Sequence, residues 1–256
     1  MINRVKFLLF FRMIYSLLLW GVCFLVLMLG DIIIPVIHIF TRNKKEVAHH
    51  WAYFGSKILL FLAQVKVTVE GKENLPAHGP IIVMPNHQGH FDYLILFSVL
   101  PFRVIYIVRK EFFSIPIFRG FLRIAGHYLL DRRAAMSAYN TLTEVAEELK
   151  AGESVLIFPE GTHSPDGSVG KFKDGGFRLA LQSNTPILPI AIYGSHLIMP
   201  KFSWIIHPQK VSVSIGKLIH FDRCEKPSSQ DYDAALDKAR ETILGMHGEL
   251  EKKALL

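Results

Sequence analysis

The first 40 residues differ from the rest of the chain, because apolar positions there follow one another almost without interruption. Residues 13–40 contain one charged side chain, Asp31, and basic residues flank this segment on both sides. A helix that crosses a bilayer needs about 20 apolar residues, so the pattern predicts an N-terminal hydrophobic helical membrane anchor. Either a single tilted span or a helix that breaks between Gly30 and Pro35 and returns would fit, and the basic residues on both flanks favour the second. A cleaved signal peptide is disfavoured, because the apolar segment is too long and lacks a small-residue cleavage site.

After residue 44 the apolar positions follow two alternating periods. Residues 45–64 have helical spacing and complete a predicted membrane-associated helical segment, residues 1–64. Beyond it, short apolar runs alternate with helical segments, which predicts an α/β domain over residues 65–256 with a mostly parallel central sheet flanked by helices. The predicted strands cover residues 65–70, 80–85, 104–108, 127–131, 154–159, 186–192 and 210–216. The predicted helices cover residues 90–99, 111–124, 134–150, 174–183 and 230–252.

Clusters of polar side chains stand at the ends of three predicted strands. NHQGHFD (86–92) follows the second strand, DRR (131–133) ends the fourth, and PEGTHSPDG (159–167) follows the fifth. In parallel sheets the carboxyl ends of the strands lie at one edge, where ligands bind. The three clusters therefore predict a single active site at that edge.

Within the first cluster, His87 and Asp92 can form a general base and its orienting partner. With Asp92 in the first turn of a helix, its carboxylate can accept a hydrogen bond from Nδ1 of His87, which leaves Nε2 free to accept a proton. A serine hydrolase is not indicated, because the chain has no G-x-S-x-G sequence and Ser195 lacks that context. The alternative is that Asp92 only caps a helix and His87 is an ordinary loop histidine.

Composition limits the possible partners without identifying one. Half of the residues are hydrophobic and the formal net charge is +7, which suits nucleic acid, an anionic lipid surface or an acidic substrate. No basic helix or stacking aromatic motif supports nucleic acid. Cys23 and Cys224 lie far apart, so neither a disulfide framework nor a zinc site is supported, and a reducing compartment is expected.

Taken together, the motifs resemble those of the glycerolipid acyltransferases. Asn86, His87 and Asp92 resemble the NHxxxxD signature of that family, and FPEGT (158–162) resembles its second diagnostic block. Residues 109–132 resemble the intervening block that ends in an arginine, and ILPIAI (187–192) resembles a proline-containing strand. The four blocks occur in family order, and the bacterial 1-acylglycerol-3-phosphate (lysophosphatidic acid) acyltransferases, which carry an N-terminal hydrophobic anchor, are the most similar group.

This resemblance implies a reaction. His87 would deprotonate the free sn-2 hydroxyl of a lysophospholipid, Asp92 would orient His87, and the hydroxyl oxygen would attack the thioester of acyl-CoA or acyl carrier protein to give phosphatidic acid. It implies no metal, no cofactor other than the acyl donor as co-substrate, no nucleic acid, and a place on the cytoplasmic face of the cell inner membrane. The residues implied to bind substrate are Asn86, Lys110, Arg132, Glu160, Gly161, Thr162 and His163, with Lys110 and Arg132 as phosphate ligands.

One position departs from the family pattern. The family usually has E-G-T-R-S, whereas this chain has EGTHS, with His163 in place of the arginine. A neutral histidine is a poor replacement for a guanidinium group that binds phosphate through two hydrogen bonds. The departure predicts weaker or pH-dependent phosphate recognition, phosphate contacts from Lys171 or Lys173, or a different lysolipid acceptor.

Two other interpretations stay open. A metal-dependent hydrolase could use His87, His90 and Asp92 as ligands, although no further cluster of ligands accompanies them. A non-catalytic lipid-binding membrane protein would need only the anchor and the basic charge, but it leaves the pairing of His87 with Asp92 unexplained.

Overall fold

The computed structural model describes residues 2–256 except residues 42, 78, 111–113, 115, 131–134 and 223–226. The helices are α1 (Ile2–Thr41), α2 (Lys44–Leu62), α3 (Asp92–Val99), α4 (Pro116–Ile124), α5 (Ala135–Lys150), α6 (Gly175–Ser183) and α7 (Ser229–Ala254). The strands are β1 (Lys66–Glu70), β2 (Ile82–Pro85), β3 (Val104–Arg109), β4 (Tyr128–Leu130), β5 (Ser154–Leu156), β6 (Ile187–Tyr193) and β7 (Lys210–Ile215). Two short 3-10 helices, Lys72–Asn74 and Ser195–Leu197, lie between them.

The strands form one seven-stranded sheet in the order β1-β7-β6-β2-β5-β3-β4. Every described neighbouring pair is parallel except β6 and β7, which are antiparallel. All four residues of β2 are buried, which explains why this strand has a continuous apolar sequence and not an alternating one. The predicted α/β fold with a mostly parallel sheet is confirmed.

Alternate strand residues build two apolar layers, one on each face of the sheet. Val83 belongs to the layer that also contains residues of α1 to α4, and Ile82 belongs to the layer that contains residues of α5, α6 and α7. The chain leaves β2 toward α3 on the first face and leaves the adjacent β5 toward α6 on the second. A crevice therefore opens between the carboxyl ends of β2 and β5, the usual ligand position in open α/β sheets.

The N-terminal helix α1 is unbroken, so the predicted break between Gly30 and Pro35 is wrong. Pro35 lies inside the helix, where it removes one backbone hydrogen bond. Packing against the neighbouring helices supports the helix there, because Ile34 is fully buried. The chain reverses later, and Trp51 of α2 donates its indole hydrogen to the carbonyl of Val26 at 3.1 Å. The chain therefore turns back between α1 and α2, and not within α1 as predicted.

Most of the α1 surface is apolar and exposed. Among the described residues, α1 is the helix long and apolar enough to cross a membrane, by length and composition, with a mean hydropathy of 2.6 over Phe7–Thr41. This agrees with the predicted anchor. Exposed apolar side chains on the two N-terminal helices include Phe7, Phe10, Leu17, Leu18, Phe24, Ile32 and Phe40 of α1, and Phe54, Ile58 and Phe61 of α2.

The N-terminal helices also contribute to the core of the sheet. Ala48 and Leu60 of α2 are buried in the same apolar layer as Val83 and Leu188 of the strands. The helical segment and the sheet therefore share one apolar layer. The division of the chain at residue 64 stays a prediction.

Candidate active site

The loops that follow β2 and β5 meet at the carboxyl edge of the sheet, as the sequence predicts. The backbone N–H of Ser164 donates to the carbonyl of His87 at 2.8 Å. The backbone N–H of His87 in turn donates to Oε1 of Glu160 at 2.8 Å. Two of the three predicted polar clusters are therefore in contact. The third, which contains Arg132, lies outside the described residues.

His87 and Asp92 form the predicted pair. Nδ1 of His87 lies 2.8 Å from Oδ2 of Asp92, and both side chains are buried. The same carboxylate oxygen accepts the backbone N–H groups of Gln88 at 2.6 Å and Gly89 at 2.9 Å. These donors precede α3, so Asp92 holds the histidine loop and does not merely cap its own helix. With Nδ1 donating to the carboxylate, Nε2 of the neutral ring is the proton acceptor.

A third side chain, Ser195, completes the surroundings of Asp92. Its hydroxyl donates to Oδ1 of Asp92, so both carboxylate oxygens have donors. Ser195 is fully buried and begins the short 3-10 helix after β6. From the sequence, Ser195 is notable only as a possible nucleophile. No local signal could have revealed its contact, because it lies 103 residues from Asp92 along the chain.

Gln88 forms hydrogen bonds with three separate segments of the chain beside His87 and Asp92. Its side-chain amide donates to the carbonyl of Gly167 at 2.6 Å and to Nε2 of His247 on α7 at 3.0 Å. Its Oε1 accepts the backbone N–H of Ser195 at 3.2 Å. Burial lowers the pKa of His247, which keeps its ring neutral and able to accept the bond from Gln88. A buried amide with all of these partners fixes the loop rigidly.

Two residues predicted to bind substrate form hydrogen bonds with the backbone. Asn86 is fully buried, and its amide bonds both to the carbonyl of Ile192 at 3.0 Å and to its N–H at 2.7 Å. Glu160 accepts the N–H of His87 with one oxygen and that of Gly170, at 2.8 Å, with the other. Burial raises the pKa of Glu160. Neither residue belongs to the described lining of the cavity beside His87, so we assign both to positioning the loops, and their contact with substrate stays a prediction.

Other predicted residues line a cavity of about 470 Å³ beside His87, called here the polar cavity. Gly161, Thr162 and His163 line it, together with Lys173. Gly161 has a φ of +72° and leaves room for the Lys173 side chain, since an added Cβ would lie 3.2 Å from Cε of that lysine. Lys110 follows β3 at the same edge of the sheet with an exposed side chain, and it is outside the described lining of the cavity.

His163, which stands where the family usually has an arginine, lies beside the ring of His87. Its ring centroid is 5.8 Å from that of His87 and 4.8 Å from that of His90. Burial, and then the neighbouring His90, His87 and Lys201, lower the pKa of His163 to about 4. The ring is therefore neutral near pH 7 and brings no positive charge to the cavity, as the sequence predicts.

A second cavity, of about 410 Å³, lies between helices α1 to α4 and the sheet. Its described lining is nearly all apolar, so it is called here the apolar cavity. His90 and Tyr93 line both cavities, and Tyr93 packs edge-on against His87 at 5.7 Å. The two cavities therefore meet beside His87. Side chains that line the apolar cavity include Leu19, Cys23, Val26, Trp51, Ala52, Gly55, Phe97, Phe121 and Ile206.

Metal ligation has no support in the described residues, because no group of three or more histidine, cysteine, aspartate or glutamate side chains there could hold an ion.

Known proteins are similar to this chain in sequence and in fold. Residues 66–193 match the family model described as Acyltransferase. A 1-acyl-sn-glycerol-3-phosphate acyltransferase of Pseudomonas aeruginosa is 29% identical over 86% of this chain and 82% of its own length. A chloroplastic 1-acyl-sn-glycerol-3-phosphate acyltransferase of Arabidopsis thaliana is 33% identical over 75% of this chain, which spans 54% of that relative. The crystal structure of the lysophosphatidic acid acyltransferase PlsC from Thermotoga maritima superposes with a TM-score of 0.77 at 25% identity, covering 94% of this chain and 98% of the other.

Proposed function

Because the chain belongs to the acyltransferase family, we propose that it transfers a fatty acyl group from a thioester to the sn-2 hydroxyl of 1-acylglycerol-3-phosphate. The product is phosphatidic acid, a step of phospholipid biosynthesis. One observation carries the proposal: the paired His87 and Asp92 lie where a polar cavity and an apolar cavity meet. These three features suit acyl transfer to a lysophospholipid, which needs a base and room for both a polar head and an acyl chain.

His87 acts as the general base of this reaction. Its Nε2 takes the proton of the acceptor hydroxyl as the oxygen attacks the thioester carbonyl, and Asp92 stabilises the imidazolium that forms. The carbon–sulfur bond then breaks, and the leaving thiolate takes the proton from His87. Phe158 stacks on the His87 ring at 3.9 Å, which limits rotation of the base. Positioned bases of this kind contribute about 10²- to 10⁴-fold in rate.

The two cavities divide the substrates by polarity. The apolar cavity takes an acyl chain, and its volume lies within the range of about 300–1,000 Å³ that is usual for ligand pockets. The polar cavity takes the phosphate-bearing head of the acceptor. Lys173 supplies an ammonium group there, which supports its role as a phosphate ligand in place of the missing arginine. Roles for Lys110 and Arg132 as further phosphate ligands stay predictions.

Membrane association follows from the same proposal, because the acceptor and the product are membrane lipids. The exposed apolar surface of α1 and α2 holds the domain at the bilayer. The thioester donor, acyl-CoA or acyl carrier protein, is a cytoplasmic molecule, so we place the enzyme on the cytoplasmic face of the inner membrane. No other cofactor is needed for this chemistry.

A donor and acceptor panel tests the proposal. Acyl-CoA and acyl carrier protein donors are each combined with lysophosphatidic acid and with other lysolipids, using the wild type, His87→Ala, and His220→Ala, which changes an exposed histidine. We expect transfer to lysophosphatidic acid that is lost only in His87→Ala. Transfer restricted to another lysolipid would keep the mechanism and change the acceptor, as neutral His163 allows. If no pair is converted, the chain is a lipid-binding protein and the proposal is wrong.

A further inference from the structure

We propose that residues 197–204, named here the rim loop, form a second contact with the lipid bilayer and place the mouth of the polar cavity at the lipid surface. The rim loop follows β6 and lies far from the N-terminal helices in sequence. The proposal rests on the function proposed above and adds a surface that recognises the membrane. The proposed partner of the rim loop is a bilayer with anionic headgroups.

Exposure is the first observation. The side chain of Phe202 is 98% exposed, which exceeds the 83% of Phe40 on the apolar surface of α1. Trp204 and Leu197 of the same loop are also exposed. Single exposed apolar residues are common, but a group of them on one loop marks an interaction site. Phenylalanine and tryptophan are the residue types that enter the interface of a bilayer.

The backbone at Phe202 is the second observation. The N–H of Ser203 donates to the carbonyl of Pro200 at 2.9 Å, which closes a tight turn, and Phe202 within it has a φ of +67°. Turns with positive φ at this position favour glycine or asparagine. A bulky aromatic residue that is favoured neither by burial nor by backbone conformation points to a partner outside the chain.

Attachment to α1 is the third observation. Nε1 of Trp20 donates to the carbonyl of Trp204 at 3.0 Å, and Oγ of Ser16 accepts the N–H of Ile206 at 2.9 Å. The end of the rim loop and the residues after it are thus bound along one side of α1. The exposed apolar side chains of the loop therefore continue the apolar surface of that helix.

The positive charge of the rim loop indicates a bilayer with anionic headgroups. Nζ of the exposed Lys201 lies 5.6 Å from the ring centroid of Phe202. Met199 of the same loop lines the apolar cavity, which shares His90 and Tyr93 with the polar cavity, and Lys201 contributes to lowering the pKa of His163. An ammonium group beside an aromatic ring suits anionic headgroups, and so does the net charge of +7.

The inner side of this segment links the lipid surface to the catalytic pair. Ser195, just before the rim loop, donates to Asp92. Met199 within the loop and Ile206 just after it line the apolar cavity. When Phe202 enters the bilayer, the mouth of the polar cavity faces the headgroups, so the acceptor reaches His87 without leaving the lipid surface.

A fluorescence experiment tests the contact without any need for activity. Phe202→Trp and Tyr139→Trp, the latter at an exposed aromatic position on α5, are each reconstituted into vesicles of phosphatidylcholine and phosphatidylglycerol. The emission of the three native tryptophans is subtracted using the wild type. We expect brominated phosphatidylcholine to quench the tryptophan at position 202 and not the one at 139. Equal quenching at both positions, or none at 202, overturns the proposal.

An activity measurement tests its consequence. Phe202→Asn removes the ring and suits the positive φ, so it preserves the fold; Tyr139→Gln is the control. We expect Phe202→Asn to lower kcat/KM for lysophosphatidic acid in anionic vesicles about tenfold, with transfer to a water-soluble short-chain acceptor unchanged. Equal losses on both acceptors would overturn the rim-loop proposal. A wild type inactive on both would instead overturn the proposed function, while the quenching result would still decide the lipid contact.

Discussion

The polar and apolar cavities are similar in volume, about 470 and 410 Å³, but different interactions hold their walls in place. The polar cavity lies beside loops that are fixed by hydrogen bonds, such as those that Glu160 accepts from two backbone N–H groups. The apolar cavity is formed by packed side chains of four helices and the sheet. Hydrogen bonds fix direction, whereas apolar packing fixes only shape and volume. On the proposed function, the polar cavity would position the reacting hydroxyl and the apolar cavity would limit the length of the acyl chain.

Asp92→Asn has the largest expected effect, because it tests the hydrogen bonds that orient His87. An asparagine side chain has one acceptor oxygen and an NH₂ group, so it cannot accept the four donors that the Asp92 carboxylate accepts. We expect kcat to fall about 10²- to 10⁴-fold, with KM for the donor nearly unchanged because Asp92 lines neither cavity. Steady-state kinetics check this, with the exposed Asp166→Asn as control. A loss of only a few fold would show that His87 needs no orienting partner.

Ser195→Ala has the next largest expected effect. It leaves Oδ1 of Asp92 buried without its hydroxyl donor, and an unpaired buried acceptor costs about 1–3 kcal/mol. We expect kcat to fall about 10- to 100-fold while KM for both substrates stays the same. Ser168→Ala removes an exposed hydroxyl that bonds to Asp166 and serves as the control. A change in KM alone would mean that Ser195 contacts substrate.

Ala52→Phe tests whether the apolar cavity holds the acyl chain. Ala52 is buried on α2 and lines the apolar cavity, so the added ring occupies space meant for the chain. We expect activity with long-chain donors to fall about tenfold or more, since overpacking costs about 1–3 kcal/mol, and activity with short-chain donors to be kept. Ala52→Val should give an intermediate limit on chain length. Equal losses at every length would mean that the cavity does not hold the acyl chain.

His163→Arg tests how the polar cavity binds the phosphate of the acceptor. Because the pKa of His163 is lowered to about 4, the wild-type ring offers no charge to a phosphate near pH 7, whereas a guanidinium does. We expect KM for lysophosphatidic acid to fall about threefold to tenfold, with little change for an acceptor that lacks a phosphate monoester. An unchanged KM and pH profile would show that Lys173 and its neighbours already suffice.

One histidine from each cavity predicts how stability depends on pH. The pKa of His127, which lines the apolar cavity, is lowered to about 3 by burial, and that of His163 to about 4, from an ordinary 6.5. As pH falls below about 6.5, the unfolded chain binds protons that the folded chain does not. The free energy of unfolding should therefore decrease from about pH 6.5 down to about pH 3. Urea unfolding in detergent at about pH 7 and about pH 5 checks this, and His127→Asn should show a smaller decrease.

The sequence predicted the parts of the molecule that depend on neighbouring residues. His87 and Asp92 are five residues apart, so the spacing of the motif was enough to predict their contact. The alternation of strands and helices predicted the sheet, because each element has its own apolar period. Contacts between distant segments have no such local signal. Ser195 at Asp92 and His247 at Gln88 lie 103 and 159 residues from their partners.

The wrong prediction of a break in α1 and the unforeseen backbone bonds of two motif residues have the same physical cause. Gly30 and Pro35 indicated a break in α1 because both residues weaken an isolated helix. In the folded chain Gly30 instead leaves room for the Trp51 indole, whose Nε1 would lie 2.8 Å from an added Cβ. Glu160 and Asn86 were expected to bind substrate because they belong to motifs. Their bonds to backbone groups, which are part of the tertiary structure, assign them to support of the loops.

The pairing of β1 with β7 affects how the protein is made. Thr68 and Ser212 are paired in register although 144 residues separate them, so this part of the sheet cannot form until the ribosome has synthesised most of the chain. Contacts this distant in sequence also slow folding, because a long loop must close first. Helix α1, which needs only local hydrogen bonds, leaves the ribosome long before that closure. If α1 is the proposed membrane anchor, the apolar helix can reach the bilayer first, and the domain then finishes folding beside the surface that supplies the proposed lipid substrate.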